Sequence, residues 1–303
     1  VVWELTFTKL SLEDSPNFGN IRNMKNSLTS QLQTLGHPQR ITLFKLLMRR
    51  YPDALPAGEI CSVLGLKAST GSDYLSTLKS VGLIKSERRA THLHYSVNMI
   101  GVQAMTDALL GDCCKGRPDV CTFSASDEPA PKKDRMMKVL FICSANSARS
   151  IMAEAILNTL GAEKFTAYSA GSQAGPDINP RVKALLEAKG HDTSQLFSKS
   201  LSTFQSDDAP RFDFVFTVCD DAANEACPAW PNQPISAHWG MADPAKATGT
   251  EAEINLAFQH AYGVLKNRLT AFVALPASEL SAISLQREVD AIALTSPTPE
   301  EAP

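Results

Sequence analysis

The sequence predicts a multidomain chain: a mostly helical unit with one β-hairpin, followed by an α/β unit whose parallel sheet is flanked by helices. Three observations predict it. Apolar residues recur at helical spacing between residues 24 and 111, interrupted by two extended segments. "FSASDEPAPKKDR" (123–135), rich in Ser, Pro and charge, then breaks the pattern as a linker does. From Met136 on, apolar strand-like runs alternate with helical ones, the order of a parallel sheet with crossover helices.

The elements follow in order. The first 23 residues have no clear period, and Met24-Lys25 reads as a natural start, so 1–23 is expected to be a leader or a disordered segment. "TLGHPQRITLFKLLMRR" spaces Leu35, Ile41, Leu43, Phe44, Leu46 and Leu47 as one helix face. Pro56 opens a short helix that Gly65 stops, and a second helix follows with Ser69 or Thr70 as N-cap and Gly82 as the stop. "LIKSERR" and "LHYSVN" form a hairpin around a basic, polar turn, and "MIGVQAMTDALL" adds a helix up to Gly111. Beyond the linker, "MKVLFIC", "FTAYSAG" and "FDFVFTVC" read as strands. "SIMAEAILNTLG", "PRVKALLEAKG", "EINLAFQHAYGVLKNRLTAFVAL" and "SELSAISLQREVDAIAL" read as helices. The expected division is a leader at 1–23, a first domain at 24–121, a linker at 122–136, a second domain at 137–293 and a tail at 294–303.

With 44% hydrophobic and 20% charged residues in 303, the composition is that of a globular protein with room for two domains. No apolar stretch is long and uncharged enough to span a bilayer, and no secretory pattern opens the chain. Seven cysteines, an odd number grouped by region, favour thiol chemistry or metal binding over structural disulfides. The expectation is a cytoplasmic protein without a membrane partner. The net charge of −3 conceals an asymmetry: residues 21–120 carry 13 Lys and Arg against 7 Asp and Glu, a balance of +6, which leaves −9 elsewhere. A basic half of this kind points to a polyanionic partner.

The densest chemistry lies in "VLFICSANSARS" (139–150). An apolar strand ends in Cys143, a polar loop follows, and a helix begins near Arg149 and Ser150. Such a turn gathers backbone N–H groups at one point, so Ser144, Ala145, Asn146, Ser147, Ala148, Arg149 and Ser150 are expected to form an oxyanion cup. Arg149 offers a planar fork to a tetrahedral oxyanion, and Cys143 at the floor is the nucleophile. The helix end, Arg149 and Ser150 are expected to favour the thiolate and lower the Cys143 pKa.

Cysteine, five residues, arginine, serine in this setting resembles the loop of low-molecular-weight tyrosine phosphatases and of the arsenate reductases that share their fold. The resemblance covers roughly 137–293 and places Asp243, in "HWGMADPA", at the general-acid position. Asn146 and Glu154 fit positions that shape the loop.

Two further cysteines bear on phosphatase against reductase. Phosphate hydrolysis uses one thiol, whereas reduction of arsenate draws two electrons from thiols that end as a disulfide. "VCDDAANEACPAWP" places Cys219 at the end of the third strand, on the same sheet edge as Cys143, with Cys227 downstream on the same segment. The resemblance to arsenate reductases includes this pair and implies a relay: Cys143 attacks arsenate, Cys219 attacks the adduct and releases arsenite, and Cys227 takes over the disulfide. It passes to an external thiol reductant, a thioredoxin, a glutaredoxin or a low-molecular-weight thiol, with no tightly bound cofactor. "DPAKATG" lacks the aromatic residues that phosphatases of this fold place after Asp-Pro, which counts against a phosphatase.

In the basic half, helix, tight turn, helix and basic hairpin is the order of a winged helix-turn-helix. Ser69, Thr70, Ser72 and Tyr74 would reach bases or phosphates from the second helix, and Lys79, Arg88, Arg89 and His92 would contact the DNA backbone. "LGHPQRITLFKLL", "ICSVLGLKASTGSDYLSTLKSVGLI" and "LHYSV" resemble the ArsR family of metal-responsive repressors, which implies a homodimer through this domain, an operator DNA partner and arsenite as inducer. Cys61 stands without a partner cysteine and reads as core, whereas Cys113, Cys114 and Cys121 offer three sulfurs suited to arsenite. The whole reads as a bifunctional arsenic-resistance protein, an arsenate reductase joined to an arsenite-responsive repressor. The alternatives are a non-enzymatic regulator with a reductase-like docking domain and a low-molecular-weight tyrosine phosphatase.

Overall fold

The computed structural model describes residues 27–113, 135–206, 208–225, Trp230 and 234–295. The leader, most of the linker, the end of the tail, and Cys114, Cys121 and Cys227 lie outside the described residues. Two separate apolar cores organise the rest, one built from residues between Leu43 and Val97, the other from residues between Met137 and Ile292.

The first half holds helices α1 (Ser27–Leu35), α2 (Pro38–Arg49), α3 (Ala57–Leu64) and α4 (Ala68–Ser80), strands β1 (Leu55–Pro56), β2 (Ile84–Arg89) and β3 (His92–Val97), and helix α5 (Met99–Ala108). Pro38 at the first turn presets α2. Gly65, left-handed at φ 62°, stops α3 and turns the chain into α4. Lys67, not Ser69 or Thr70, is the N-cap of α4, without a side-chain cap, so both residues lie inside the first turn. The helices α3 and α4 cross closely: a Cβ at Gly71 would sit 2.2 Å from Cys61 Sγ, so only glycine fits, and Cys61 is buried core as expected. The hairpin turns at Ala90, which takes φ 49°, and β3 pairs antiparallel with both β2 and β1. The two-residue β1 is too short to register as a periodic pattern.

The second half holds β4 (Met137–Cys143), α6 (Arg149–Leu160), β5 (Phe165–Gly171), α7 (Pro180–Ala188), β6 (Phe214–Thr217), the five-residue α8 (Asp220–Asn224), β7 (Ile235–His238), α9 (Glu251–Ala274) and α10 (Ala282–Ala293). The sheet is parallel throughout, in the order β5-β4-β6-β7. Three strands match the sequence reading. The fourth, β7, escapes it because four residues, "ISAH", of which only His238 is buried, show neither an apolar run nor clean alternation. The central β4 is buried along almost its whole length, as befits a parallel strand covered on both faces. Helix α6 lies on β4 and β5 and is itself covered by α9, while α10 packs on β7. Arg135, at the end of the expected linker, forks onto Asp213 beside β6 and ties the start of this half down.

The tight α3–α4 crossing gives a direct test. Gly71→Ala is expected to destabilise the first half by about 1–3 kcal/mol through overpacking. Cys61→Ala in the same chain is expected to restore most of it, since the nearest remaining Cys61 atom is its Cβ at 3.8 Å. Urea denaturation of the two variants checks both.

Candidate active site

Parallel pairing brings two thiols to one edge. Strands β4 and β6 run in register, with Ile142 opposite Thr217, and the Val218 N–H donates to the Ile142 carbonyl at 2.9 Å. Cys143 and Cys219 therefore leave the sheet at adjacent strand ends, where neighbouring strands lie about 5 Å apart. Both are buried, Cys143 at 2% exposure and Cys219 at 0%. The Ser144 hydroxyl bridges toward the second thiol, its Oγ 3.4 Å from Cys219 Sγ. Cys219 also caps α8, its Sγ accepting the Ala222 N–H at 3.4 Å.

The loop after Cys143 is held from outside. The carbonyls of Cys143, Ser144, Ala145 and Ser147 accept the N–H groups of Ser172, Gln173, Gly175 and Asn179 at 2.9–3.1 Å. With these carbonyls turned outward, planar trans peptides turn the following N–H groups inward, over the sulfur. Asn146 makes the bend: it takes φ 48°, which asparagine tolerates, and its N–H donates to Cys143 Sγ at 3.2 Å. Gly171 permits the close approach, because a Cβ there would lie 2.6 Å from the Ser144 carbonyl oxygen.

A buried polar network fixes Asn146. Its Nδ2 donates to Ser150 Oγ (2.9 Å) and Ser169 Oγ (2.8 Å), and its Oδ1 accepts the Lys199 N–H (2.6 Å). Ser169 donates to Glu154, and Lys199 Nζ pairs with the same carboxylate at 3.0 Å. Burial pushes Glu154 above the ordinary carboxylate range, against the pull of Lys199 and Ser169. The lysine ammonium is the positive charge that faces Glu154 beneath the loop. Asn146 lies in the loop, and Glu154, on α6, is joined to it through Ser169 and Lys199. Ser169, Gly171 and Lys199 were missed, since a serine at a strand end and a lysine in a polar run carry no signal of their own.

Ser150 Oγ lies 2.8 Å from Cys143 Sγ, at the start of α6. Arg149 is buried at 7% exposure; its Nη2 pairs with Asp243 Oδ2 at 2.8 Å and its Nη1 donates to the Met241 carbonyl at 3.2 Å. Its buried Nε has no hydrogen-bond partner among the described residues. Asp243 Oδ1 accepts the Ala245 N–H and so caps the short turn at Pro244–Lys246. The expected lowering of the Cys143 pKa is not met. Burial pushes the thiol up, the neighbouring Cys219 adds to the rise, and Ser150 and Arg149 only offset part of it. The sequence showed the favourable groups but not the depth of the sulfur.

"HWG" also has a structural account. His238 bonds Thr217 Oγ1 (2.9 Å) and Asp220 Oδ1 (3.1 Å), the residue next to Cys219. Trp239 stacks on Phe216 at 4.2 Å and donates to the Val289 carbonyl. Arg268 donates to the carbonyls of Trp239 and Gly240, which positions the stretch that leads to Asp243.

In the first half, Ser69, Ser72, Lys79, Arg88, Arg89 and His92 are exposed, while Thr70 and Tyr74 are half-buried. Tyr74 donates its hydroxyl to Gln39 at 2.6 Å, and its ring lies against His37. Arg89 pairs with Glu87. Cys113 is exposed; its expected companions Cys114 and Cys121 lie outside the described residues, as does Cys227.

Residues 138–289 match the low molecular weight phosphotyrosine protein phosphatase family. The arsenate reductase of Bacillus subtilis (strain 168) is 36% identical over 134 residues, 44% of this chain and 93% of that protein. That of Bacillus licheniformis is 38% identical over 135 residues, again 44% of this chain and 93% of that protein. The glutaredoxin arsenate reductase of Synechocystis sp. (strain PCC 6803) is 34% identical over 139 residues, 46% of this chain and 98% of that protein.

The raised Cys143 pKa has a kinetic consequence. Alkylation of Cys143 by iodoacetamide is expected to rise with pH through a midpoint above ~8.5, the value of a free cysteine. Ser150→Ala, which removes a group that lowers it, is expected to move that midpoint higher still. Peptide mass spectrometry across pH 7–10 would measure both; a midpoint below the free value would contradict the account of burial.

Proposed function

The chain belongs to the low molecular weight phosphotyrosine protein phosphatase family, and from that premise we propose that its second half reduces arsenate with thiols while its first half senses the arsenite produced. The observation that supports reduction over hydrolysis is the second thiol. A phosphatase of this family needs one cysteine in the loop, yet Cys219 is buried at the adjacent strand end, within 3.4 Å of the Ser144 hydroxyl.

The second half is a thiol-dependent arsenate reductase. Arsenate enters the loop with its oxygens on the amides of Ser144 through Ser150, and the Arg149 guanidinium, whose Nε has no partner among the described residues, takes a further oxygen. The incoming anion competes with Asp243 for Arg149, and the freed carboxylate takes up a proton from solvent water before it acts as the acid. Burial raises the Cys143 pKa, which suits an oxyanion that arrives as a dianion: the Cys143 proton passes to an arsenate oxygen, and Ser150 holds the thiolate. The thiolate attacks arsenic, an As–O bond breaks, and the leaving oxygen takes a proton from Asp243 and departs as water. Cys219 then attacks Cys143 Sγ. The S–S bond forms, the S–As bond breaks, and its electron pair stays on arsenic, which leaves as arsenite. The Cys219 proton goes with the arsenite. Cys227 attacks Cys219 in turn, Cys143 departs as a thiol, and a thioredoxin- or glutaredoxin-type reductant reduces the Cys219–Cys227 bridge.

The first half is an arsenite-responsive winged-helix repressor that dimerises and binds operator DNA. The order α3, turn, α4, hairpin and the exposed basic groups Lys79, Arg88, Arg89 and His92 support this reading, with Ser69 and Ser72 exposed near the start of α4 and Thr70 and Tyr74 partly covered beside them. Cys113, Cys114 and Cys121 are its arsenite ligands.

Two measurements test the two halves. Arsenate-dependent oxidation of a thiol reductant is expected to fall by at least about 1000-fold in Cys143→Ser and in Cys219→Ser, since each removes a bond-forming sulfur. Turnover that survives Cys219→Ser, together with reductant-free hydrolysis of an aryl phosphate, would return the phosphatase reading. Arsenite is expected to release the chain from its operator, and Cys113→Ser/Cys114→Ser to abolish that release; an unchanged response would place the sensor elsewhere.

A further inference from the structure

The two halves meet at the segment that carries the second thiol. At the end of α2, Arg49 donates from Nε to the Ala223 carbonyl (3.0 Å) and from Nη2 to the Asn224 carbonyl (3.1 Å), the last carbonyls of α8. Arg50, 3% exposed, donates from Nη1 to Asn224 Oδ1 at 3.1 Å and pairs from Nη2 with Asp220 Oδ2 at 3.3 Å. One arginine thus holds the end of α8 and the next spans its length. His238 holds Asp220 from the other side and approaches Asp53 of the first half at 3.5 Å. The acidic pair Asp53 and Asp220 is accounted for by Arg50, which lies within 3.8 Å of both.

These polar contacts are not the edge of a fused core. The two apolar cores are separate, and between the halves lies a cavity of about 480 Å³ lined by Met48, Tyr51 and Met99 from one side and Val215, Trp230 and Ala237 from the other. The arginines supply four of the polar contacts between the halves, all of them on α8.

Cys219 is fully buried and is the N-cap of α8. A disulfide formed at that sulfur reaches an external thiol only if the 219–225 segment leaves its place. We propose that Arg49 and Arg50 clamp α8 in its helical form over Cys219, so that the first half positions the second thiol and is released when the segment is drawn out. The redox part rests on the relay proposed above: when Cys227 attacks the Cys143–Cys219 disulfide, one S–S bond forms and one breaks, Cys143 leaves with the proton Cys227 gave up, and Cys219 is pulled away from the Ala222 N–H. The bonds from Arg49 and Arg50 to α8 break with it. Attachment of the first half then reports whether the second half is reduced or carries its bridge.

Timed iodoacetamide labelling of the reduced full-length protein, read peptide by peptide, tests the clamp. Arg49→Ala/Arg50→Ala is expected to speed alkylation of Cys219 by about tenfold or more while buried Cys61, in the other core, keeps its rate. Asn224→Ala, which cuts the clamp from the opposite side, is expected to act in the same direction by a smaller factor. An unchanged Cys219 rate, or equal acceleration at Cys61, overturns the clamp. The redox part is read in the wild-type protein after arsenate without reductant, with the bridge identified by mass spectrometry. Hydrogen exchange over residues 45–53 is expected to rise about tenfold once the bridge is present. A bridge with unchanged exchange overturns the coupling alone. Failure to form any Cys219–Cys227 bridge rejects the relay and the redox part together, while the labelling result still judges the clamp.

Discussion

The parallel pairing of β4 with β6 is the constraint from which the site follows. Because Ile142 lies opposite Thr217, Cys143 falls level with Val218 and Cys219 stands one residue beyond, so both thiols leave the sheet at the same edge. An antiparallel pair would have sent the two ends to opposite edges. Adjacent strands lie about 5 Å apart, within the range of Cα separations that a disulfide spans. Both thiols therefore stand buried at one edge of the parallel sheet.

Around the first sulfur, depth and electrostatics oppose each other. The loop turns its N–H groups inward because the 172–179 segment claims its carbonyls, and Asn146 is locked by Ser150, Ser169 and the Lys199 backbone. Those groups favour an anion in the cup. Burial of Cys143 disfavours one on the sulfur. On the proposed reading, the arrangement places the attraction where the oxyanion would sit, while burial raises the pKa of the sulfur beneath it. Glu154 and Lys199 beneath the loop neutralise each other, so the cup's charge comes from Arg149 and the amides rather than from a buried carboxylate.

How much of this was legible depended on whether the signal was local. Strand Met137–Cys143 reads to the residue from an apolar run, because a parallel strand covered on both faces is nearly continuous in apolar residues, and Phe165–Gly171 reads from its alternation. The loop from Cys143 to Ser150 and the positions of Arg149, Asn146 and Asp243 read from motif and spacing for the same reason. What failed was long-range. The four residues of β7 are a strand only because β6 pairs with them, and Lys67 caps α4 only because of the backbone turn after Gly65. Lys199 reaches Glu154 from 45 residues away. The direction of the Cys143 pKa also went wrong for this reason: the groups that lower it are neighbours in sequence, while the burial that raises it comes from elements far along the chain.

The contact between halves belongs to the same class, and it changes what the short helix α8 does. A five-residue helix is too short to hold itself. Its N-terminus is capped by Cys219, and its last carbonyls are held by Arg49 from another core. Burial works to raise the Asp220 pKa, yet His238 and Arg50 together hold it lowered, so the carboxylate that faces both halves stays ionised and keeps both partners. Stability from that depressed pKa is present above the ordinary carboxylate value and is lost as pH falls through the lowered one. The grip on α8 is therefore intact at neutral pH, where thiol exchange is fast enough to matter. A segment stabilised at both ends by groups that do not belong to it is one whose order can be withdrawn by moving either end, and one of those ends is the sulfur that takes the disulfide.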